Sequence, residues 1–438
     1  MINKLKKNYL KTECKNCRNI FSKKNIMWIL SLYGTAIGAG VLFLPINIGS
    51  GGLFYLLILI ILAFPITFLS HRGLARLLLS GDNANTNLSE IIEKHFGKKI
   101  SFLFSILYFF SIYPILLIYS TAITNTVIFF INSQLVDYQS SRIIIASCLI
   151  FILMLIILIG EKFIIKCMSI LVFPFVLSLL FLSFYLIQFW HYSFFYELKN
   201  MINKYDFNII KTIWNLIPII IFSFNHSPII SSFVIDKKKE CKICAKKTCS
   251  NLLFYSHMLM IITVIFFVCS CIFSITESNM MEAKKQNISI LSYFAIHFQN
   301  SFLKFFGPIL AALAIIKSFL GHYVGAKEGL NKIFTLILKN SKNKKRINTK
   351  SIIINILIFS STWLSAIFNP SILEIIESLS GPIIAVILFL IPAFSIYILP
   401  NMKEYRSEKI TNLFLWIIGI LALSSMIYQF SFKIQSFF

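Results

Sequence analysis

The chain has few charged residues and very few acidic ones. Only 13% of its 438 residues are charged, with 17 Asp and Glu against 41 Lys and Arg, whereas 57% are hydrophobic. This excludes an ordinary water-soluble domain, in which about a quarter of the residues carry charge. Apolar runs of about 20 residues, long enough to cross a bilayer, recur from Met27 to the C-terminus. An all-α integral membrane protein is therefore expected.

Acidic side chains are missing from the centres of the apolar runs. Glu161 and Glu328 lie at the ends of runs, and Glu374 and Glu377 are placed in a loop after the ninth run. This distribution excludes a carboxylate proton relay through the middle of the membrane. There is also no HExxH motif and no sizeable polar region to hold a cofactor, so neither an enzyme nor a cofactor is expected.

Hydropathy predicts eleven transmembrane helices. They cover residues 27–49, 53–78, 101–131, 142–160, 164–189, 209–234, 252–275, 302–330, 351–368, 380–399 and 411–431. The first run is too long for a cleaved signal peptide and lacks a small-residue cleavage site. Residues 1–26 are therefore expected to remain as a basic cytoplasmic tail, followed by one transmembrane domain over residues 27–438.

Basic residues are distributed unequally between the two sides of these helices. With the N-terminus inside, 32 of the 41 Lys and Arg residues fall on the inside and 8 on the outside. An excess of basic residues is typical of cytoplasmic segments and predicts an N-in, C-out topology. The net charge of +24 thus indicates orientation in a lipid bilayer, and no nucleic-acid partner is expected.

Two predicted helices carry residues that interrupt a helix. The first contains the small-residue run Gly34-Thr35-Ala36-Ile37-Gly38-Ala39-Gly40, and the sixth contains Ser223-Phe224-Asn225-His226-Ser227-Pro228. Glycine weakens a helix, and proline removes an amide donor and clashes with the preceding turn. Taken singly, a glycine run can be a helix-packing surface and a proline can be a simple kink.

The spacing of these two features favours a binding site over two independent packing features. They lie five helices apart, as in transporters built from two inverted five-helix repeats whose first helices are broken around the substrate. The repeats would cover about residues 27–189 and 209–399, with an extra helix at about 411–431. The predicted architecture is a 5+5 inverted-repeat transporter fold with helices 1 and 6 broken.

Five stretches of the sequence carry a resemblance to known proteins: WILSLYGTAIGAGVLFLPINIGSGG (28–52), FNHSPIISS (224–232), QNISILSY (286–293), KSFLGHYVGAKEG (317–329) and NPSILEIIESLSGPIIA (369–385). They resemble the bacterial hydroxy and aromatic amino acid permease family, in particular its serine and threonine proton symporters. The resemblance implies proton-coupled import of L-serine, with L-threonine as a further substrate, across the bacterial inner membrane. The tail (residues 1–26) and the segment 236–250 lie outside the stretches that carry this resemblance. The alternatives are a threonine or aromatic amino acid proton symporter and, in a different class, an amino-acid-binding membrane sensor.

An amino acid zwitterion needs hydrogen-bond donors for its carboxylate and acceptors for its ammonium group. Free N–H groups at the start of the outer half-helix would serve the carboxylate, and freed carbonyls at the end of the inner half-helix would serve the ammonium. On helix 1 the predicted residues are Gly34, Thr35, Ala36, Gly38, Ala39 and Gly40. On helix 6 they are Phe222, Ser223, Asn225, His226 and Ser227, with polar side chains for the substrate hydroxyl.

Helix 3 offers a polar face that could close this pocket. Thr121, Thr124 and Asn125 lie at positions i, i+3 and i+4 and therefore share one side of the helix. The alternative is that they form hydrogen bonds between helices inside the membrane.

Proton coupling is assigned to Lys317, His226 and His322, because no carboxylate is available. Lys317 lies near the centre of predicted helix 8, on one stripe with Gly321, Gly325 and Gly329, which should face the bundle. Such a lysine could carry the proton or act as a fixed cation. His226 adjoins the second interruption and could instead be a neutral histidine satisfied by a carbonyl. Little is expected of His71 and His257.

Two CxxC pairs raise the question of a metal site. The pairs are Cys14/Cys17 and Cys241/Cys244, and four thiolates at this spacing could hold zinc. Nothing in the sequence brings the two segments together, so unpaired thiols and no metal are expected.

Overall fold

The computed structural model describes residues 20–83, 88–134, 141–191, 209–240, 243–298, 301–337 and 344–435. All regular elements within these ranges are helical. Two of them are 3₁₀ helices, Ile187–Phe189 and Pro400–Ser407. The first eight of the longer helices are α1 (Lys23–Ala36), α2 (Ala39–Gly49), α3 (Leu53–Leu79), α4 (Leu88–Gln134), α5 (Arg142–Ile159), α6 (Glu161–Leu186), α7 (Ile209–Ser223) and α8 (Ser227–Glu240). The others are α9 (Ala245–Ser274), α10 (Glu277–Lys285), α11 (Ile290–His297), α12 (Ser301–Ile337), α13 (Lys344–Phe368), α14 (Ile372–Ile398) and α15 (Lys409–Gln435).

The number of membrane-spanning helices agrees with the hydropathy pattern. Among the described residues, nine single helices are long and apolar enough to cross a bilayer, and two bent helix pairs raise the number to as many as eleven. The bent pairs are α1 with α2 and α7 with α8, in the predicted helices 1 and 6. The chain is an all-helical, multi-pass membrane protein.

Helix α14 begins earlier than the hydropathy pattern predicts. It starts at Ile372 instead of residue 380, so Glu374 and Glu377 lie in its first turns and not in a loop. Two side chains stabilise this start, because Ser371 Oγ accepts the N–H of Glu374 at 3.4 Å and Asn287 Oδ1 accepts that of Ile372 at 2.9 Å. These two hydrogen bonds cap the helix, so it can begin at polar residues that the hydropathy pattern leaves out of the span.

Helix α8 also extends further than predicted, to Glu240 instead of residue 234. Two of its lysines are buried, Lys237 at 2% exposure and Lys238 at 5%. Lys237 Nζ donates to Asn25 Oδ1 and to Glu240, both at 2.6 Å, and Lys238 Nζ donates to the carbonyl of Gly81 at 2.7 Å. These residues therefore tie the end of α8 to α1 and to the segment after α3, besides contributing positive charge.

Helix α12 packs lengthwise along α4, and small residues allow the close approach. A Cβ added at Gly325 would lie 3.1 Å from Ile112, and one at Gly329 would lie 3.3 Å from the Cβ of Phe109. The predicted small-residue stripe on this helix therefore faces the bundle. It also directs Lys317, which is 1% exposed, into the interior.

Three of the four cysteines in the two CxxC pairs, Cys14, Cys17 and Cys241, lie outside the described residues. Cys244 is disulfide-bonded, which contradicts the expectation of an unpaired thiol.

Candidate substrate site at two helix interruptions

The first interruption separates α1 from α2. Helix α1 ends at Ala36, Ile37 is extended (φ −82°, ψ 107°), and Gly38 (φ −151°, ψ −148°) precedes the start of α2 at Ala39. The two helices are bent by 55° relative to each other. The carbonyl of Ile37 accepts a hydrogen bond from Ser318 Oγ on α12 at 3.2 Å. The first N–H groups of α2 have no carbonyl partner within the helix and are free to bind an anionic group.

The glycines of this interruption lie against neighbouring helices. A Cβ added at Gly38 would lie 2.3 Å from Ser318 Oγ and 2.7 Å from the hydroxyl oxygen of Tyr119. One at Gly34 would lie 2.1 Å from Cγ2 of Val172 on α6. Gly34 therefore allows close packing of α1 on α6, and Gly38 allows two hydroxyl groups to approach the backbone closely.

The second interruption separates α7 from α8, with a bend of 52°. Helix α7 ends at Ser223, and Asn225 Oδ1 accepts the N–H of Ser227, the first residue of α8, at 3.0 Å. Asparagine acts here like a helix cap. Pro228 lies in the first turn of α8, where the missing N–H has no partner within the helix and costs little. It is therefore a favourable residue for starting α8 and does not interrupt a helix.

Several polar atoms at the second interruption are buried, and some of them have no hydrogen-bond partner among the described residues. Asn225, His226 and Ser227 are 3%, 0% and 4% exposed. Within the described part of the chain, Asn225 Nδ2 and Ser227 Oγ make no hydrogen bond. Because buried polar groups are almost always paired, these two atoms are available for a ligand.

The two interruptions contact each other directly. A Cβ added at Gly40 would lie 3.0 Å both from the Cα of Ser223 and from Cε1 of Phe222. Ser223 Oγ donates a hydrogen bond to the carbonyl of Gly40 at 3.3 Å. The structure thus brings together the predicted residues of helices 1 and 6, which are 183 positions apart at this contact. Such a combination of backbone and side-chain groups can hydrogen-bond a small polar ligand.

The predicted polar face on α4 forms hydrogen bonds within the protein. Thr121 Oγ1 donates to the carbonyl of Ser365 at 3.1 Å, and Asn125 Nδ2 donates to the carbonyl of Asn287 at 2.7 Å. Thr124 Oγ1 donates to the carbonyl of Ser120 in its own helix at 2.9 Å. This arrangement fits the alternative that the face connects helices.

Lys317 directly precedes Ser318, the residue of α12 that donates a hydrogen bond to the first interruption. Its Nζ is 5.0 Å from the ring centroid of Phe175 on α6 and has no hydrogen-bond partner among the described residues. His322, one turn further along α12, has Nδ1 2.9 Å from the carbonyl of Ser318 and packs its ring edge against Tyr119.

The sequence interpretation missed two residues at the second interruption. His71 on α3 stacks on His226 with ring centroids 3.7 Å apart, and His257 on α9 lies 4.8 Å from His226. All three rings are buried. An available signal was that both residues are histidines in otherwise apolar helices, where ionisable side chains usually have a partner.

Comparison with known proteins gives a consistent result along nearly the whole chain. A model of the tryptophan/tyrosine permease family matches residues 22–428. The serine transporter SdaC of Escherichia coli is 47% identical over 416 residues, which cover 95% of this chain and 97% of that one. The threonine/serine transporter TdcC of Escherichia fergusonii is 41% identical over 431 residues, which cover 93% and 96%. Since these relatives are transporters, the chain is not an enzyme.

Solved structures with the same fold share little sequence with this chain. The manganese transporter of Eremococcus coleocola matches with a TM-score of 0.57 and 15% identity, covering 93% of this chain and 87% of that one. A mutant of that transporter matches with a TM-score of 0.61 and 13% identity, covering 94% and 88%. These matches show a common helical fold.

Proposed function

Because the chain belongs to the tryptophan/tyrosine permease family, we propose that it is a secondary active transporter that imports L-serine together with protons. The 47% identity to a serine transporter and the 41% identity to a threonine/serine transporter support L-serine as the main substrate and L-threonine as a further one. The membrane is proposed to be the inner membrane of a bacterium. Aromatic amino acids, which the family name suggests, are the alternative substrates.

The proposed architecture is the inverted repeat, with the N-terminus inside and the C-terminus outside. Repeat 1 covers about residues 27–189, repeat 2 about 209–399, and the extra helix about 411–431, after a cytoplasmic tail over residues 1–26. The position of the two bent pairs, five spans apart, supports this assignment. The excess of basic residues on one side supports the orientation.

The observation that carries the proposal is the direct contact between the two interruptions through Gly40 and Ser223. The N–H groups of Gly38, Ala39 and Gly40, at the positive end of the α2 dipole, are proposed to bind the substrate carboxylate. The ammonium group is assigned to carbonyls at the C-terminal ends of α1 and α7, those of Gly34, Thr35 and Ala36 and those of Phe222 and Ser223.

The substrate hydroxyl is assigned to the unpaired side chains of the second interruption. Asn225 Nδ2 and Ser227 Oγ are buried without a partner among the described residues, so a hydroxyl would restore their hydrogen bonds. A site of this kind rejects an analogue that lacks the hydroxyl, because its own polar groups would then remain unpaired. Alanine should therefore compete poorly with serine.

Coupling is proposed to involve the titratable groups beside the interruptions, Lys317, His226 and His322. Lys317 is buried and has no hydrogen-bond partner in the described ranges, so its charge is not neutralised by a nearby carboxylate. A buried lysine of this kind can exchange a proton or stay as a fixed cation that stabilises one conformation.

The proposal is tested by uptake of radiolabelled serine into proteoliposomes in sodium-free buffer, with and without an imposed pH gradient. We expect accumulation only with the gradient, competition by excess threonine, and little competition by alanine or tryptophan. Strong inhibition by tryptophan alone would shift the assignment to an aromatic substrate. Binding of serine without any accumulation would identify a sensor instead of a transporter.

A further inference from the structure

Three buried histidines from different segments meet at the second interruption. His71 comes from α3, His226 from the turn before α8, and His257 from α9. The rings of His71 and His226 are parallel within 4°, and one nitrogen from each of the three rings lies within 4.8 Å of the others. No ring is more than 1% exposed.

Hydrogen bonds determine which ring nitrogen carries the hydrogen atom. The Nδ1 atoms of His71, His226 and His257 lie 2.8, 3.1 and 2.6 Å from the backbone carbonyls of Thr67, Phe224 and Leu253. A carbonyl oxygen can only accept, so each Nδ1 must be the donor. In the neutral rings each Nε2 therefore presents a lone pair.

The three Nε2 atoms are not equivalent. That of His71 accepts the backbone N–H of His226 at 3.2 Å. Those of His226 and His257 are buried and make no hydrogen bond within the described residues. Two buried lone pairs without a donor, on rings whose centroids are 4.8 Å apart, are unfavourable, and a single electrophile held by both rings would satisfy them.

The charges around the cluster do not supply that electrophile. Among the described residues, the titratable groups that act on the three rings are the other rings of the cluster. The ion pairs that charged side chains of the same helices form lie elsewhere: Arg72 and Arg76 pair with Glu408, Lys237 with Glu240, and Lys246 with Glu404.

A proton fits this geometry better than a metal ion does. A metal ion lies close to the plane of each imidazole that binds it, and two parallel rings 3.7 Å apart have no common point in both planes. His71 Nε2 is, in addition, already occupied by the N–H of His226. The rings of His226 and His257 are instead inclined by 53° with centroids 4.8 Å apart, so their planes intersect, as an N–H···N contact between them requires.

We propose that His226 and His257 form the proton-binding site of the transporter, with one proton shared between their Nε2 atoms and His71 as a positioning residue for His226. The proton is taken from water on one side, held as an imidazolium–imidazole pair, and returned to water on the other side. This inference rests on the proposed proton symport and names the groups that bind the proton.

The site also explains how proton and substrate binding can be linked. A positive charge on His226 lies next to the N-terminus of α8, whose dipole disfavours it. The carboxylate of a substrate held at the adjoining first interruption offsets that charge. Serine binding then favours the proton and, by reciprocity, the proton favours serine.

The test measures equilibrium serine binding by calorimetry in two buffers of different ionisation enthalpy between pH 5 and 8. For the wild-type protein we expect proton uptake on binding and a Kd that changes by up to about tenfold per pH unit. H226Q and H257Q should each bind serine without taking up this proton, and their Kd should vary little with pH. H191Q, at an exposed position outside the cluster, is the matched control and should behave like the wild type.

A second measurement does not depend on the variants folding. In protein labelled with ¹⁵N at histidine, a pH titration in the presence of serine should show two Nε2 signals that move together as one proton binds. Nε2 signals that stay unprotonated throughout the titration would overturn the proposal. It would also be overturned if serine-linked proton uptake, measured by calorimetry, were lost in K317A or H322Q but kept in H257Q. Stoichiometric zinc binding that disappears in H257Q would make the cluster a metal site instead.

Failure of this proposal can be distinguished from failure of the proposed function. If no amino acid binds, the transporter assignment is wrong, and the titration of the unliganded protein still reports whether the pair takes up one proton. If serine is bound and accumulated without any change at the two histidines, only the proton site is wrong.

Discussion

The two helix interruptions have similar geometry and different chemistry. Both bend their helix pair by a little over 50°, 55° at the first and 52° at the second. The first is lined by glycine and backbone groups and approached by the hydroxyls of Ser318 and Tyr119. The second carries polar side chains of its own and a cluster of three histidines. The same bend can thus expose backbone for a zwitterion or place titratable side chains for a proton.

The largest effect is expected from adding a methyl group to the first interruption. In G38A the new Cβ would lie 2.3 Å from Ser318 Oγ and 2.7 Å from the hydroxyl oxygen of Tyr119. Overpacking of this kind costs about 1–3 kcal/mol, so serine binding should weaken by roughly tenfold or more and uptake should be nearly lost. G73A is the control, because its Cβ would be no nearer than 3.4 Å to a neighbour, Pro392. Equal uptake by both variants would mean that the first interruption does not form the site.

The second largest effect concerns the contribution of Lys317 to coupling. K317A should keep serine exchange and lose accumulation against a gradient, because the buried cation next to the first interruption is removed. Uptake and exchange assays in the same proteoliposomes measure both, with K304A, near the start of the same helix, as control. If K317A also loses serine-linked proton uptake, the proton site belongs to the first interruption and the division of roles is wrong.

A smaller effect is expected from removing the cap of the second interruption. N225A loses the acceptor for the N–H of Ser227, which should cost about 1 kcal/mol of stability and weaken serine binding by about fivefold. N225D keeps the acceptor and should restore the stability. S289A removes a comparable cap on α11 and should lower the melting temperature without changing the Kd for serine. A Kd in N225A equal to that of the wild type would remove Asn225 from the site.

The smallest effect is expected from the hydrogen bond that joins the interruptions. S223A loses the contact of 3.3 Å to the carbonyl of Gly40, worth about 0.5–1 kcal/mol, so the Kd for serine should rise about two- to fivefold. S183A is the matched control, since Ser183 is also buried and donates to a carbonyl, that of Leu179, in its own helix. A rise in Kd of the same size in both variants would indicate a general loss of stability.

The positions of most helices could be predicted because the membrane imposes them. A span needs a long apolar run, so the hydropathy pattern locates α3, α5 and α9 to within a few residues at most ends. The hydropathy pattern misplaces a helix end where hydrogen bonds to specific partners allow polar residues to be part of the helix. Helix α14 begins at Ile372 because Asn287 and Ser371 cap it, and α8 reaches Glu240 because Lys237 and Lys238 find buried partners.

The residues of the candidate site were predictable only where the backbone itself is unusual. Glycines in the first helix and Pro228 in the sixth mark both interruptions in the sequence. The role of Thr121 and Asn125 was left open, and the structure places Thr121 in a hydrogen bond to α13 and Asn125 in one to the turn between α10 and α11. His71 and His257 were discounted because neither lies near an interruption in the sequence.

The sequence by itself determined the membrane as solvent, the approximate spans, the two interruptions and the family resemblance, since each depends on the order of residues along one segment. Only the tertiary structure decided that Gly40 touches Ser223 and that His71 and His257 meet His226. The physical reason is that contacts between helices depend on how each helix is rotated and packed against its neighbours. Hydropathy along the chain records how much of a helix is apolar, and it does not record which neighbour each polar side chain meets.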